Sequence, residues 1–301
     1  MFDRPHFIVN PAAAGGRAAA WWRAAEPVIR KRVPECSATV AAKREDIYRT
    51  LQRTLESGPR DIIGVGGDGT HHDVVNALIK LGALNECTYA PLPVGSGNDW
   101  CRTLAVPRHL LRWFQTMEKG WLIDHRIGQL SFPSGPPRYF INVAGMAYDA
   151  EVVRRAEQHP FKHRLTYPLL TAAHLAGFTP PRLSLTYDGE CVTDRFHTIN
   201  LGIGRYNGGG MRLVPQANPL RDSLALTYAR ALPLHRIALN GWRFFTDSIG
   251  AVRGVTTTHA TSVRVDGLTG VEADGEYLGT GPVVAELLPV TLRVRCGRTA
   301  F

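Results

Sequence analysis

The chain has 301 residues, 44% of them hydrophobic, and a formal net charge of +9. That length allows two modest domains with buried cores, and no uninterrupted apolar run reaches the roughly 18 residues that would suggest a membrane-spanning helix. A basic surface suits nucleotides, anionic lipid headgroups or nucleic acid, but no nucleic-acid module, basic tail or aromatic ladder accompanies it, so nucleic acid is not expected as a partner.

The N-terminus, Met1 to Arg4, runs straight into a short strand, Phe7-Ile8-Val9, without the charged-then-apolar layout of a signal peptide. A loop, Asn10-Pro11-Ala12-Ala13-Ala14-Gly15-Gly16-Arg17, and an alanine-rich helix follow. A second apolar strand, Asp61 to Val65, breaks into Gly66-Gly67-Asp68-Gly69-Thr70, and a helix carries Val74, Val75, Leu78 and Leu81 on one face. A third, Pro91 to Val94, leads into Gly95-Ser96-Gly97-Asn98-Asp99 and a helix starting over Trp100 to Leu104. Each unit places a small-residue loop at the C-terminal end of a strand, the edge where open α/β sheets bind ligands. Backbone N–H groups and the positive helix end make such loops suited to phosphate. Asp68 adds a carboxylate among groups that favour anions, which makes sense if a metal or a transferable proton sits between it and phosphate. That pairing points to Mg²⁺-nucleotide chemistry. Asp99 has a second reading, as the N-cap of the helix after it.

Phe132-Pro133-Ser134-Gly135-Pro136-Pro137 is a turn-rich boundary, so an α/β domain is expected over 1–130 and a β-rich domain over 131–288. In the second, strands are expected at Tyr139–Val143, Leu183–Tyr187, His197–Ile203, Leu224–Tyr228, Ser262–Val265 and Val283–Leu288, mostly antiparallel. Helices are expected over about Ala150–Phe178 and Leu234–Val252. The basic run Arg154-Arg155, His159, Lys162-His163-Arg164 before the apolar stretch Leu165–Phe178 reads either as a membrane-surface element or as a core helix with a solvated start. Asp274-Gly275-Glu276 lies between strands and reads as a hairpin turn. His71 and His72 point about 100° apart on a helix and are expected on its surface rather than as metal ligands. Trp21, Trp22 and Trp100 are expected to pack. Cys36, Cys87, Cys101, Cys191 and Cys296 are scattered without a Cys-x-x-Cys pair, as expected of reduced thiols in a cytoplasmic protein.

The chain resembles the diacylglycerol kinase catalytic domain family, which includes sphingosine kinases and bacterial lipid kinases. The matching pieces are Asn10-Pro11 with Gly15-Gly16, Gly66-Gly67-Asp68-Gly69-Thr70 with Val74-Val75-Asn76, and Gly95-Ser96-Gly97-Asn98-Asp99. Gly145 with Asp149-Ala150, Asn207-Gly208-Gly209-Gly210, Pro215 and Ala217 with Asp222, and Asp274-Gly275-Glu276 complete the ordered set. Departures are Asp73 where the family usually has Glu, Ser223 where Gly follows Asp222, and alanines where Ser or Thr is common in the first loop.

The resemblance implies an α/β domain with a parallel sheet followed by a mostly antiparallel β-sandwich-like domain, with a final strand within 289–301 returning to the first. It implies an ATP- and Mg²⁺-dependent lipid kinase acting on a diacylglycerol-like or sphingoid hydroxyl at a membrane surface. Asn10, Gly66, Gly67, Asp68, Gly69, Thr70, Gly95, Ser96, Gly97, Asn98 and Asp99 would hold ATP and position Mg²⁺. Glu276 would be the base, supported by Asp274, with Asp68 also catalytic. Asp222 would hold a structural Mg²⁺ with backbone carbonyls such as that of Leu224, or simply cap a turn. A homodimer is left open. Two alternatives remain: an NAD kinase-like enzyme, which shares the Gly-Gly-Asp-Gly-Thr turn, and a catalytically silent lipid- or nucleotide-binding regulator.

Overall fold

The computed structural model describes residues 2–58, 60–158 and 174–298. The chain forms two compact units, Met1–His125 with Val290–Phe301, and Arg126–Pro289.

In the first unit the elements are β1 (His6–Val9), α1 (Arg17–Arg32), β2 (Ser37–Val40), α2 (Arg44–Glu56), β3 (Arg60–Gly66), α3 (Asp68–Lys80), β4 (Cys87–Pro93), α4 (Asp99–Thr103), α5 (Leu110–Lys119) and β5 (Trp121–His125), joined by β17 (Leu292–Cys296). They build one six-stranded sheet in the order β2-β1-β3-β4-β17-β5, parallel except where β17 meets β5. α1 turns Ala18, Trp22, Ala25 and Ile29 inward, the spacing of one helical face. β3 is buried almost throughout, as a central parallel strand must be. Its Gly64 is required by packing, since a Cβ there would lie 2.0 Å from the Tyr89 hydroxyl oxygen.

In the second unit the elements are β6 (Gly128–Ser131), β7 (Arg138–Phe140), β8 (Val143–Ala147), α6 (Tyr148–Gln158), β9 (Arg182–Tyr187), β10 (Glu190–Gly202), β11 (Leu224–Arg230), α7 (Leu234–Leu239), β12 (Val255–Ala260), β13 (Ser262–Asp266), β14 (Gly270–Ala273), β15 (Glu276–Thr280) and β16 (Val283–Leu287). Among the described residues its strand pairings are all antiparallel. β10 pairs with β9 through its first half and with β8 and β11 through its second, so one long strand serves both halves of the sheet. Alternate residues of these strands, among them Leu185, Ile199, Leu226 and Val263, meet in a shared apolar core. The turn-rich segment 132–137 joins β6 to β7 inside this unit, which begins at Arg126.

One helix expectation needs correction. The helix expected over Leu234–Val252 is only the short α7 followed by 3₁₀ turns at Gly241–Phe245 and Ile249–Ala251, because Asn240-Gly241 interrupts it. Of the helix expected from Ala150 to Phe178, the described part is α6, Tyr148–Gln158, and residues 159–173, with the basic run from His159 to Arg164, lie outside the described residues. Arg154 and Arg155, on α6, both pair with Glu151. Among the described residues, no helix is long and apolar enough to cross a membrane.

Candidate active site

In the first unit the chain leaves β1 outward to β2 and returns on β1's other side as β3. Where strand order reverses in this way, the loops diverge and leave a crevice at the strands' C-terminal ends. Asn10 follows β1 there, and Gly66–Thr70 follows β3. Asn10 donates its side-chain amide to the Thr70 hydroxyl at 3.0 Å and accepts the Ala12 N–H at 3.0 Å, so the first loop is tied to the second.

The second loop is tied to the third by close backbone approach. A Cβ on Gly95 would sit 2.4 Å from the Gly67 Cα and 2.5 Å from Asn98 Oδ1, and one on Gly66 would sit 2.3 Å from Thr70 Oγ1. Only glycine fits. Asn98 adopts a left-handed backbone (φ +56°), and its side chain accepts the Gly95 N–H at 3.0 Å while donating to the Gly95 carbonyl at 3.1 Å. Arg108 donates to the carbonyls of Ser96 and Gly97. Sequence reasoning passed over this arginine, whose partners are backbone oxygens and leave no side-chain pattern.

Asp68 lies where these loops meet. Its carboxylate accepts the Trp100 N–H at 3.1 Å, and the N–H groups of Asp99 and Asn98 also point to it. Asp68 is half-buried with loop atoms around its carboxyl, and desolvation first, then the charge of Asp99, raise its pKa from 3.8 to about 6. Asp99 is buried and bound by Arg102. It is not the helix cap, a position taken by Asn98. These donors suit Mg²⁺: they are hard oxygens, and a cation would relieve the mutual repulsion of two neighbouring carboxylates, one buried and one half-buried. Among the described residues no group of three His, Cys, Asp or Glu side chains gathers as a metal cage, so a cation here would fill its shell with phosphate and water.

His71 and His72 are buried rather than on the helix surface. His71 bonds the Tyr89 hydroxyl at 2.7 Å and approaches Cys101 Sγ at 3.5 Å, and burial pushes its pKa down to about 3. It belongs to the packing beneath the loops, with Trp100 and Tyr89. Trp22 is buried, and four of the five cysteines, all but Cys191, are buried thiols.

In the second unit Asp274-Gly275 forms a two-residue hairpin turn between β14 and β15, both residues with positive φ (+51° and +84°). Asp274 also holds the β7–β8 corner. Its two oxygens accept the N–H groups of Ile141 and Asn142 at 2.9 Å each and of Val143 at 3.2 Å. Glu276 opens β15 and is half-buried.

Two residues before the turn is a carboxyl that sequence reasoning missed. Glu272 is fully buried, accepts the Gly275 N–H at 3.0 Å, and lies near Asp149; burial and that neighbour push its pKa well up. Asp149 is raised to about 6 by burial, and the Thr198 hydroxyl donates to it at 2.8 Å. Asn200, 1% exposed, completes the cluster with a buried side-chain oxygen that has no hydrogen-bond partner. The available signal was a Glu in Gly-Val-Glu-Ala, where the strand pattern calls for core.

Asp149, Thr198 and Asn200, but not Glu272, also line a cavity with an empty volume of about 850 Å³, part of it open to solvent. Its walls are otherwise apolar, with Leu213, Ala229, Ile237, Phe244, Ile249 and Val252 among them. Asp222 lies elsewhere in the unit. Its side chain is 79% exposed and is paired with the Arg126 guanidinium, and Leu224 is buried at the start of β11. One exposed carboxylate already matched by a fixed cation does not by itself fit a resident Mg²⁺.

Residues 4–130 match the diacylglycerol kinase catalytic domain, and residues 142–296 match the YegS C-terminal NAD kinase beta sandwich-like domain. A diacylglycerol kinase of Mycobacterium tuberculosis is 25% identical over 293 residues, covering 95% of this chain and 93% of that protein. A diacylglycerol kinase of Bacillus subtilis is 28% identical over 232 residues, covering 73% and 72%. A crystal structure of a diacylglycerol kinase from Bacillus anthracis superposes with a TM-score of 0.74 at 18% identity, covering 100% of this chain and 99% of that one, which shows the shared fold. The order of the loops, the turn at Asp274 and the two matched domains agree: this chain belongs to the diacylglycerol kinase family of lipid kinases.

Proposed function

We propose that this protein is an ATP- and Mg²⁺-dependent lipid kinase that transfers the γ-phosphoryl group to a hydroxyl of a diacylglycerol-like or sphingoid lipid. The observation that carries the reading is the convergence of the Asn10, Gly66–Thr70 and Gly95–Asp99 loops around the raised-pKa carboxyl of Asp68. Phosphoryl transfer needs positioning and charge stabilisation more than covalent help. Backbone N–H groups of the glycine loops would bind the phosphates, and the Asn10–Thr70 bond would hold the first two loops in register. Asp68 and Asp99 would hold Mg²⁺, which when bound neutralises phosphate charge.

The cavity supports a lipid acceptor. Its largely apolar walls suit an alkyl chain, and Asp149, Thr198 and Asn200 supply polar groups for a headgroup. Glu276, in the same unit, would take the hydroxyl proton as the O–P bond forms, while Asp274 keeps the adjoining backbone in place. The test is γ-labelled ATP with Mg²⁺ against a panel of diacylglycerol, sphingoid base and NAD⁺. Label in a lipid supports the reading. Label in NAD⁺ alone supports the NAD kinase alternative, and no transfer to any acceptor by folded, nucleotide-binding protein supports the silent regulator.

A further inference from the structure

The wall of the apolar cavity formed by residues 232–252 has an outer face of unusual composition. Leu239 is 74% exposed, and Trp242 and Phe245 are each 57% exposed. Their placement follows from helical geometry. On α7, Leu239 lies two residues from Ile237, about 200° round the helix, so as Ile237 lines the cavity Leu239 faces away from it. In the 3₁₀ turn that follows, residues three apart eclipse, which puts Trp242 and Phe245 on one ridge while Phe244 lines the cavity. Solvent-facing leucine, tryptophan and phenylalanine beside one another cost hydration free energy that a soluble surface does not need to bear.

The segment that carries the ridge, residues 234–253, is net basic, with three arginines against one aspartate. Among the described residues Arg236, Arg243 and Arg253 have no carboxylate within ion-pair distance, whereas Asp247 is matched by Arg212 at 2.7 Å. The Arg243 guanidinium lies 4.5 Å from the Trp242 ring centroid, so the cation and the aromatic ring form one amphipathic tip. Trp and Phe with interleaved arginine is the side-chain set that settles at a bilayer's headgroup boundary.

We propose that the ridge Leu239–Trp242–Phe245, with Arg236, Arg243 and Arg253, is the surface by which this protein docks on anionic lipid bilayers. The occupant is a membrane rather than a protein, because unmatched guanidinium groups complement phosphate headgroups while the aromatic and leucine side chains enter the acyl boundary. The same short segment has the cavity on its inner side, so docking would bring the bilayer's acyl region next to that wall. The purpose of docking rests on the lipid-kinase reading. The surface itself does not, and the experiment separates them.

Wild-type protein is sedimented with vesicles of phosphatidylcholine containing 30% phosphatidylglycerol and, separately, with pure phosphatidylcholine vesicles. Binding should favour the anionic vesicles. Trp242→Asp/Phe245→Asp should lower it by at least about tenfold, and Arg236→Glu/Arg253→Glu by a similar factor that shrinks with added salt. Turnover on a short-chain diacylglycerol dispersed in detergent micelles should stay within about twofold of wild type. Should the aspartates unfold the protein, tryptophan quenching by brominated phosphatidylcholine gives a second measure: wild type is quenched on anionic vesicles, and Trp242→Phe loses most of that quenching. Undiminished vesicle binding by folded variants overturns the proposal. So does a wild-type dimer that the Trp242→Asp/Phe245→Asp pair dissociates, since the ridge would then be a self-association surface. Vesicle binding lost in the variants, with no transfer to any lipid by wild type, keeps the docking surface and rejects the kinase reading.

Discussion

Replacing Asp68 by Asn separates the electrostatics of the glycine loops from their shape. The Asp68 carboxyl has its pKa raised from 3.8 to about 6, so ionising it in the folded protein is costlier than in the unfolded chain. At about 1.4 kcal/mol for each tenfold change in proton affinity, the full difference is about 3 kcal/mol, and relaxation of the loops would leave between about 1 and 3 kcal/mol. The sign follows from proton binding. With the folded pKa above the unfolded one, the folded state holds the extra proton between about pH 4 and 6, so this contribution is complete below that window and is lost as pH rises through it. About half is recovered at pH 5.

Asn imitates the protonated acid without titrating. Unfolding free energies of wild type and Asp68→Asn, measured in EDTA from pH 5 to 8, should therefore diverge in favour of the variant as pH rises. The fixed cost of presenting an amide to the N–H groups of Trp100, Asp99 and Asn98 cancels in the comparison between pH values. Mg²⁺ at pH 8 should stabilise wild type and leave Asp68→Asn unmoved, while phosphoryl transfer by the variant is lost. A wild-type-minus-variant difference that is flat across the pH range would refute the burial argument and remove the electrostatic reason for a metal at these loops.

Further outcomes follow from single contacts. Glu276→Gln keeps the shape of the side chain and loses its basicity, so transfer to lipid should fall about 10²–10⁴-fold with ATP affinity unchanged; wild-type kcat would return Asp274-Gly275-Glu276 to a plain hairpin turn. Gly95→Ala places a Cβ 2.4 Å from the Gly67 backbone, so the two loops must part, and calorimetry should show nucleotide affinity reduced by about tenfold or more in a folded protein. Asp274→Ala removes the acceptor for three backbone N–H groups at the β7–β8 corner and should cost roughly 2–4 kcal/mol in denaturant unfolding. Arg126→Ala removes an exposed pair and should cost less than about 1 kcal/mol; a gain of Mg²⁺-dependent melting in this variant alone would mean that the guanidinium stands in for a cation at Asp222.

What the sequence disclosed and what it hid divide by the range of the interactions. The glycine loops were legible because their requirement is local: Gly66 must clear Thr70, four residues away, and Gly95 must admit Asn98, three residues away. The family's ordered motifs carried the fold class, including the antiparallel second sheet. The buried cluster of Asp149, Asn200 and Glu272 was not legible as a cluster. Its members come from α6, β10 and β14, and only the pairing of β8 with both strands, placing Gly145 opposite Asn200 and Glu272, brings them together. His71 and His72 misled because adjacency on a helix suggests at least one solvent-facing side. α3 instead is covered on more than one side, with contacts to β3, α2 and α4. The break at Asn240-Gly241 carried a turn signal, but a long apolar stretch masked it.

The placement of β17 bears on how the protein is made. Residues 292–296 lie between β4 and β5, an interior position in a sheet whose other strands end by His125. During synthesis the first sheet therefore waits, with the β4 and β5 edges open, while more than half of the chain emerges and the second unit can already assemble. Exposed strand edges are where nascent chains pair wrongly. A nonsense mutation or proteolytic cut just before Leu292 would leave the glycine loops and the whole second unit intact in sequence and still deny the first sheet its closing strand. For expression, C-terminal truncations shorter than a dozen residues should consequently be judged by solubility before activity.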